Sequence, residues 1–559
     1  MKTWKRAITL GVFILAATAS LWSLGQAENY SLTILDTNDT HGHPLAFSWS
    51  DSVGGTAWSS PVAGGLPARK TYIDSVRAAE PNTLVLDAGD VTTGLVVSNL
   101  FQAKPDVQGM NLVGYQAMSL GNHEFDNSQK ALADRKAEAT FPFLSANVYV
   151  KATGKRAFQP YAVVKLPGVT VGVIGVTTQE TPIVTLPANV ESLEFRDPIS
   201  EVQSLVAEVR SKADFVVVLG HLGLAEDRVM AAKISGVDLI IGGHSHTYMD
   251  KTEVVNGIPV FQAYQWGLFV GRTDVVVKNR KVVSLTSRPV PINLSMPFKD
   301  GDTPKGTVKE IGGKKYDFVA GYLEADPAVL AALQPYADQV AKDLDTVIGT
   351  ATGPFPETIG GLSRYPRRDD SALTNMVADA MRDQTSLIVG RPVDVFLQNG
   401  GGIRATLPAG PITKKAVFTV LPFDNTIQTV SLPGSILLEV LEKRALPVAV
   451  ENYTTGWDGP NGAFLQVSGL SYTLDLKAKT VSDVKVGGQP LDPGKTYLVA
   501  TQNFMMTGGD GYTMLKGLPG TFETSAFQRD AVMAWIARKG TIDPAAFEDN
   551  RINLVNTGR

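Results

Sequence analysis

The chain has 559 residues, of which 44% are hydrophobic and 19% are charged, and it contains no cysteine. This length implies more than one domain, and the composition is that of a globular protein rather than a disordered one. The net charge of −4 argues against a nucleic acid polymer as partner, and the lack of thiols excludes disulfides and thiolate metal sites.

The first 27 residues have the three parts of a secretory signal peptide. Lys2, Lys5 and Arg6 precede the apolar stretch Ala7–Leu24, and a small-residue segment ends at Ala27. We therefore predict a periplasmic or secreted protein with no membrane attachment after cleavage. The alternative is an uncleaved anchor, because the apolar stretch is near the lower length limit of a spanning helix.

Five polar clusters follow apolar runs that are typical of β-strands, and together they contain all six histidines. In chain order the clusters are Asp39-Thr40-His41-Gly42-His43, Gly89-Asp90, Gly121-Asn122-His123-Glu124-Phe125-Asp126, Gly220-His221 and Gly242-Gly243-His244-Ser245-His246. A single histidine after a strand is usually a loop or core residue. The joint pattern instead favours a metal site, because loops at the carboxyl ends of strands converge on one crevice.

The residue types in these clusters suit hard or borderline divalent cations, which bind imidazole nitrogen and carboxylate or amide oxygen. About seven such ligands exceed what one tetrahedral zinc ion requires, whereas two ions that share a carboxylate would use them all. We therefore predict a two-metal hydrolase. Zinc, manganese, cobalt and magnesium all accept this ligand set, so the sequence leaves the identity of the metal open.

The ordered motifs Thr-Asn-Asp-x-His-Gly, Gly-Asp, Gly-Asn-His-Glu, Gly-His and Gly-Gly-His-Ser-His resemble the calcineurin-like metallophosphoesterases, and most closely their bacterial 5'-nucleotidase branch. The resemblance implies two ions with one bridging carboxylate. The implied ligands are Asp39, His41 and His246 for one ion, Asn122, His221 and His244 for the other, and Asp90 as the bridge.

The same resemblance implies that His123 is not a ligand. It is expected to face the substrate, where it would stabilise the charge on the phosphoryl group, with Asp126 orienting its ring. His43 has no role in the family pattern, and we interpret it as a loop residue or a support for the ligands. The implied reaction is attack on phosphorus by a hydroxide held by the two metals.

Strand-like and helical runs alternate from Tyr30 to about Val290, which predicts one α/β domain. The helix Pro198–Ser211 is one of the helical runs. Ser48–Gly65, rich in Ser, Gly and Trp, is predicted to be a surface loop. Met296–Gly321 has no clear periodicity and is predicted to be a linker or a second excursion.

A connecting helix is predicted next, with Asp326 as its cap, Pro327 in its first turn and Gly349 as its end. Pro335 should kink it. With the resemblance, the fold class is α/β: an N-terminal metallophosphoesterase β-sandwich with flanking helices, joined by a helix to an α/β substrate-binding domain. The predicted division is signal peptide 1–27, catalytic domain 28–295, linker and helix 296–349, and C-terminal domain 350–559.

The C-terminal part has no histidine but three clusters that resemble the substrate-binding domain of the 5'-nucleotidases, namely Asn399-Gly400-Gly401-Gly402-Ile403-Arg404, Pro422-Phe423-Asp424-Asn425 and Asn503–Tyr512. The resemblance implies an aromatic clamp on the base, polar contacts to base and ribose, and two arginines at the phosphate. The implied residues are Phe423 and Phe504 for the clamp, Asn425 for the base, Asp510 for the ribose, Arg404 and Arg367 for the phosphate, and Asn399 as a further substrate contact. The charged run around Arg367 leaves its register open by one residue.

We therefore expect an exported enzyme that removes phosphate from nucleoside 5'-monophosphates. Three alternatives stay open: hydrolysis of 2',3'-cyclic nucleotides or nucleotide sugars at the same site, a thiosulfohydrolase-like activity, and a non-catalytic exported nucleotide-binding protein. The presence of every expected ligand argues against the last of these. The sequence does not indicate the oligomeric state or the preferred nucleotide.

Overall fold

The computed structural model describes residues 28–185, 187–355, 365–423, 425–454 and 461–557. The predicted signal peptide lies outside these ranges, so its fate stays a prediction. Within the described ranges, no helix is both long enough and apolar enough to cross a lipid bilayer. All residues expected in the active site lie inside the described ranges.

Two six-stranded sheets pack face to face in the N-terminal half. In spatial order the first contains Lys281–Pro291, Phe269–Lys278, Tyr30–Thr37, Thr83–Asp87, Ala117–Ser119 and Phe143–Leu144. The second contains Glu253–Val255, Ile258–Phe261, Leu239–Ile241, Phe215–His221, Thr170–Thr177 and Tyr161–Lys165. Alternate apolar residues such as Ile34, Leu86 and Val217 fill the space between them. Four neighbouring strands of each sheet are parallel, so their carboxyl ends share one edge.

Helices cover the outer face of each sheet, which confirms the predicted β-sandwich with flanking helices. Leu66–Ala79 and Lys104–Val113 pack on the first sheet, and Pro198–Arg210 and Leu224–Lys233 pack on the second. Pro198–Arg210 begins where the Asp197 side chain accepts hydrogen bonds from two backbone N–H groups of its first turn. Shorter elements are the helices Val96–Asn99, Gln129–Glu138, Thr181–Val184 and Pro187–Val190 and the strands Val148–Val150, Lys155–Arg156 and Leu193–Phe195.

The segment predicted as a surface loop is instead a β-hairpin, Phe47–Val53 paired with Thr56–Ala63. Its tryptophans, Trp49 and Trp58, are buried in an aromatic cluster that includes Phe269. The prediction was wrong because the polar residues of this segment alternate with large apolar ones, and this alternation places one face of the hairpin against the domain.

The predicted linker Met296–Gly321 also contains regular structure. Ser295–Pro297, Thr307–Ile311 and Lys314–Phe318 form a three-stranded sheet, and the last two are joined by a tight turn at Gly312 and Gly313. Both glycines have positive φ, 60° and 73°, which the hairpin turn requires. Of the two interpretations made from the sequence, the excursion therefore describes this segment better than the linker.

The connecting helix runs from Pro327 to Leu344 and begins as predicted, with the Asp326 carboxylate accepting from two N–H groups of the first turn. Val329 and Leu333 are fully buried against the helices of the first sheet. The helix ends before Gly349, because Val347–Ala351 forms a strand that pairs with Gly410–Thr413 and Thr541–Ile542. The predicted end was thus one turn too late.

The C-terminal half is built on a five-stranded sheet with helices on both faces. Its strands, in spatial order, are Leu465–Ser468, Val395–Asn399, Thr496–Gln502, Thr426–Pro433 and Phe522–Phe527. The helices Ala372–Val389 and Gln528–Lys539 cover one face, and Gly434–Val440, Leu441–Ala445 and Leu446–Thr454 cover the other. A second sheet contains Gln489–Pro490, Thr480–Val486, Leu470–Asp475 and Ile552–Val555, and the short helices include Lys414–Val420 and Asn503–Met506.

The two halves touch close to the edge where the parallel strands end. Val96 and Val97 of the N-terminal half form an apolar cluster with Val340 of the connecting helix and Phe418 of the C-terminal half. The Asn99 side-chain amide donates to the backbone carbonyl of Pro422 at 3.4 Å. The loop that carries Phe423 is therefore held over the predicted metal site.

Candidate active site

The five predicted loops meet at one edge of the sandwich and are tied together by their backbones. The N–H groups of Asp39 and His41 donate to the carbonyls of Gly89 and Asp90, both at 2.9 Å. The N–H of His244 donates to the Asp39 carboxylate at 3.0 Å. Each loop therefore fixes its neighbour before any ligand binds.

These loops use an uncommon backbone conformation at the predicted metal ligands. Residues with positive φ include Asp39 (50°), His41 (44°), Asp90 (57°), His244 (74°) and His246 (52°). Non-glycine side chains rarely adopt this region, although Asp and His tolerate it better than most. The turn at each of these positions points the side chain into the shared crevice.

Three groups of side chains lie close enough together to hold a metal ion. They are Asp39 with His41 and His246, His41 with Asp90 and His123, and Asp90 with His221 and His244. In the first group, Nε2 of His246 lies 3.3 Å from Oδ1 of Asp39. In the third, Nε2 of His221 lies 3.0 Å from Oδ2 of Asp90, so the structure brings the Asp90 carboxylate between two ligand sets.

The opposite ring nitrogens of three histidines are held by oxygen atoms, which leaves Nε2 facing the crevice. Nδ1 of His41 donates to the Thr93 carbonyl at 2.9 Å, Nδ1 of His221 donates to the Ala88 carbonyl at 2.7 Å, and Nδ1 of His246 pairs with Oε1 of Gln265. Such partners fix the tautomer of metal-binding histidines.

This arrangement fits a cation. The Nε2 atoms of His41 and His246 are 3.0 Å apart, and with both Nδ1 atoms protonated each Nε2 presents a lone pair. Oδ1 of Asn122 is buried and has no hydrogen-bond partner among the residues that the structure describes. Burial acts most strongly on His221 and lowers its pKa, yet Asp90 and Asp39 outweigh it and raise the pKa to about 10. The negative charge of Asp90 and Asp39 that raises this pKa would also attract a metal cation.

Glu124 joins two of the ligand loops, a role that was not expected from the sequence. Its Oε2 accepts from the N–H groups of Asp90 and Gly121 at 2.9 and 2.7 Å, and its Oε1 accepts from Val91 at 2.8 Å. The carboxylate thus joins the loop of the bridging aspartate to the Gly-Asn-His-Glu loop. The only indication in the sequence was that Glu124 belongs to the Gly-Asn-His-Glu motif.

His123 and Asp126 form the expected pair, with Nδ1 of the histidine 2.5 Å from Oδ2 of the aspartate. The Asp126 carboxylate also accepts from the hydroxyls of Thr93 at 2.7 Å and Thr185 at 2.9 Å. The His123 backbone N–H donates to Oδ1 of Asp90 at 2.9 Å. Asp126 therefore orients the His123 ring, which also lies in one of the three candidate ligand groups, and the His123 backbone helps to hold the Asp90 carboxylate.

His43 lies beside the centre rather than in it. Its ring stacks on Trp266 at 5.1 Å between centroids and contacts Phe47 at 4.4 Å. Its Nδ1 lies 2.9 Å from the Thr40 carbonyl and 2.7 Å from that of His41. These contacts support the first ligand loop, in agreement with the role suggested from the sequence.

The C-terminal half contributes two of the predicted substrate residues directly above the centre. The Phe423 ring lies 6.0 Å from the His123 ring at an interplanar angle of 28°, and the Arg404 guanidinium lies 6.0 Å from the Phe423 ring. Although burial has the largest effect on the pKa of His41 and lowers it, the positive charge of Arg404 is close enough to lower it further. Arg404 and the candidate metal ligands thus face one crevice.

The remaining predicted substrate residues lie deeper in the C-terminal half. Phe504 is buried, with its ring edge against Gly509. Asp510 accepts from the side-chain amide of Asn399 at 2.6 Å, and burial raises its pKa despite this hydrogen bond and the nearby charges of Arg444 and Arg367. The neighbouring arginine, Arg368, instead lies over the Tyr453 ring. Arg367 is therefore the arginine of this pair whose charge acts on Asp510.

Two more polar residues complete the cleft and were not expected from the sequence. Oε2 of Glu180 lies 3.5 Å from Nε2 of His244, and this contact lowers the pKa of the glutamate. Gln502 is fully buried between Asn399 and Asn425. Neither residue lies in one of the histidine-containing clusters from which the candidate metal ligands were predicted, so these clusters could not indicate them.

Comparison with known proteins agrees with this geometry. Residues 32–248 match the calcineurin-like phosphoesterase family, and residues 347–517 match the 5'-nucleotidase C-terminal domain. The chain is 32% identical to the protein UshA of Yersinia enterocolitica over 98% of both chains. It is also 32% identical to a 5'-nucleotidase of Vibrio cholerae, over 95% of this chain and 94% of the relative.

A solved structure is similar over nearly the whole length. The 5'-nucleotidase precursor of Thermus thermophilus is 32% identical, with a TM-score of 0.78 over 94% of this chain and all of that one. A sulfate thiohydrolase from the same organism, at 20% identity and a TM-score of 0.72, shares the fold. Given these matches and the converging ligand loops, the chain belongs to the 5'-nucleotidase family, with a calcineurin-like phosphoesterase domain followed by a 5'-nucleotidase C-terminal domain.

Proposed function

We propose that this protein is an exported hydrolase that removes the phosphate from nucleoside 5'-monophosphates. The proposal rests on one observation: candidate metal ligands and predicted substrate-binding residues lie on opposite sides of one cleft. Metal-type ligands lie on one side. On the other side the Phe423 ring lies 6.0 Å from the His123 ring, and the Arg404 guanidinium lies 6.0 Å from the Phe423 ring. A phosphate ester joined to an aromatic base has the complementary shape and charge.

Two divalent cations fit the ligand groups, with Asp90 as their shared carboxylate. The proposed ligands are Asp39, His41 and His246 for the first ion and Asn122, His221 and His244 for the second. When bound, such ions would neutralise charge on the phosphoryl oxygens and lower the pKa of water. Their identity among zinc, manganese, cobalt and magnesium is a matter for metal analysis.

Side chains of the protein would supply the remaining charge stabilisation and hold the substrate. His123, oriented by Asp126, donates from Nε2 toward the phosphoryl oxygens, where negative charge grows as the ester bond breaks. Arg404 adds a fixed positive charge on the same side, and Arg367 lies near the ribose-side acid Asp510. Phe423 covers the His123 side of the cleft and would limit the access of bulk water.

The direct test is a phosphate-release panel on chelated and metal-restored protein, with AMP, 2',3'-cyclic AMP, ATP and UDP-glucose as substrates. We expect AMP to give the highest kcat/KM in the metal-restored sample. A higher value for the cyclic nucleotide or for UDP-glucose would replace the proposed substrate class. Tight binding of AMP without phosphate release under all metals would instead indicate a nucleotide-binding protein.

Export is proposed on the sequence of residues 1–27. The mass of the protein recovered from the periplasm and the medium tests it. Cleavage after Ala27 would support export, whereas an intact N-terminus on membrane-associated protein would support an anchor.

A further inference from the structure

Four polar side chains form one continuous hydrogen-bonded chain across the substrate side of the C-terminal half. The Asn399 amide donates to the Asp510 carboxylate at 2.6 Å, the Gln502 amide donates to Oδ1 of Asn399, and the Asn425 amide donates to Oε1 of Gln502 at 2.5 Å. Gln502 is fully buried, Asn399 and Asp510 are nearly so, and Asn425 is half-buried. This series of hydrogen bonds thus links Asp510, proposed to meet the ribose, to Asn425, proposed to meet the base.

The direction of every bond in this chain follows from its charged end. An ionised carboxylate only accepts hydrogen bonds, so Asn399 must turn its NH₂ group toward Asp510 and its Oδ1 away. Gln502 must then present NH₂ to that Oδ1, and its own Oε1 is left for the NH₂ group of Asn425. Gln398 gives an independent check, because its amide also donates to Oδ1 of Asn399 at 3.0 Å.

The result at the far end is an Asn425 amide of fixed orientation. Its backbone carbonyl is held by the N–H of Gln528 at 3.0 Å, and one hydrogen of its Nδ2 is engaged by Gln502. Among the residues that the structure describes, no group bonds Oδ1 or the second N–H of this amide, so both are left for a ligand. A freely rotating asparagine would accept either an amino or an oxo group on a base, whereas this one is held with its acceptor forward.

We propose that Gln502 is a positioning residue for nucleobase selection, which fixes the Asn425 amide so that the protein prefers nucleotides whose base carries an exocyclic amino group. This inference rests on the proposed function, because it assumes that Asn425 meets the base. An amino group donates to the waiting Oδ1, while an oxo group would set acceptor against acceptor. A mismatched buried polar pair is costly, so a clear difference in rate is expected.

AMP and IMP are the matched probes, because they differ only in the amino or oxo group at position 6 and the adjacent ring proton. We expect the wild-type kcat/KM for AMP to exceed that for IMP by about five- to tenfold, the effect of one hydrogen bond to a neutral group. Gln502→Leu should bring the ratio close to one, because the Asn425 amide then turns freely. A ratio that stays at the wild-type value would overturn the proposal.

Gln502→Glu separates positioning from folding. One carboxylate oxygen still accepts from Asn425, so the AMP to IMP ratio should be kept. The other oxygen faces Oδ1 of Asn399, so both nucleotides should weaken equally relative to an aryl phosphate. Loss of the ratio in this variant would contradict the argument from hydrogen-bond direction. Gln398→Leu is the matched control: it removes a buried glutamine that bonds Asn399 without touching Asn425, and the ratio should not change.

A double-mutant cycle completes the test. With Asn425→Ala the discriminating amide is gone, so adding Gln502→Leu should change the AMP to IMP ratio no further. A further change would show that Gln502 acts on the base by another route. If wild-type protein hydrolyses neither nucleotide but cleaves another substrate of the panel, the proposed function fails. If it hydrolyses both at equal rates, only the inference about Gln502 fails.

Discussion

Replacing His123 with asparagine separates transition-state stabilisation from metal binding. An asparagine amide can still donate to Asp126, but it is neutral and too short to reach the position of Nε2, which lies 4.0 Å from Oδ2 of Asp90. Loss of electrostatic or acid–base assistance of this kind lowers turnover roughly 10²–10⁴-fold, or about 3–5 kcal/mol in the barrier. We expect kcat for AMP to fall within this range.

Metal content should be preserved in the same variant. The bond from His123 to Asp90 that supports the proposed bridge comes from the backbone N–H, at 2.9 Å, and any residue at this position retains it. The assay therefore pairs steady-state phosphate release with elemental analysis of the same sample. Loss of an ion, or turnover near the wild-type value, would refute the reasoning: the first would make His123 a ligand and the second would remove it from the reaction.

Three further outcomes are expected. Exhaustive chelation should abolish phosphate release, and manganese, cobalt or zinc should restore it; full activity in a metal-free sample would falsify the ligand assignment. Asp90→Ala removes the carboxylate shared by two ligand groups, so both metal content and turnover should collapse, and normal values of both would exclude it from the site. Phe423→Ala or Phe504→Ala should weaken the use of AMP far more than that of an aryl phosphate; equal losses for both substrates would indicate a purely structural role for the rings.

Sequence patterns predicted the features that depend on residues close together in the chain. The strands before the ligand clusters and the cap at Asp326 could be predicted, because each depends on neighbours close in sequence. The pairing of His123 with Asp126 was expected from the family resemblance. The position of Arg404 relative to the metal ligands followed only from the family resemblance. Its distance in sequence from His41 exceeds any local periodicity.

The features that could not be predicted from the sequence depend on contacts between residues far apart in the chain. The hairpin at Phe47–Ala63 looked polar because half of its residues face solvent, and only the docking of Trp49 and Trp58 reveals its structure. Gln502 sits in an ordinary strand, and its role arises from partners about eighty and one hundred residues away. The Glu124 carboxylate, likewise, could be recognised as a motif residue but not as the acceptor of several backbone bonds.

The left-handed backbone at Asp39, His41, Asp90, His244 and His246 has a consequence for how this site can vary. Each such residue stores strain of order 1 kcal/mol, which the surrounding hydrogen bonds must hold in place. Chemical similarity alone will not satisfy these positions: glutamate keeps the charge of aspartate but tolerates this conformation less well. Exchange of ligand types is thus restricted by backbone geometry as much as by the preferences of the metal.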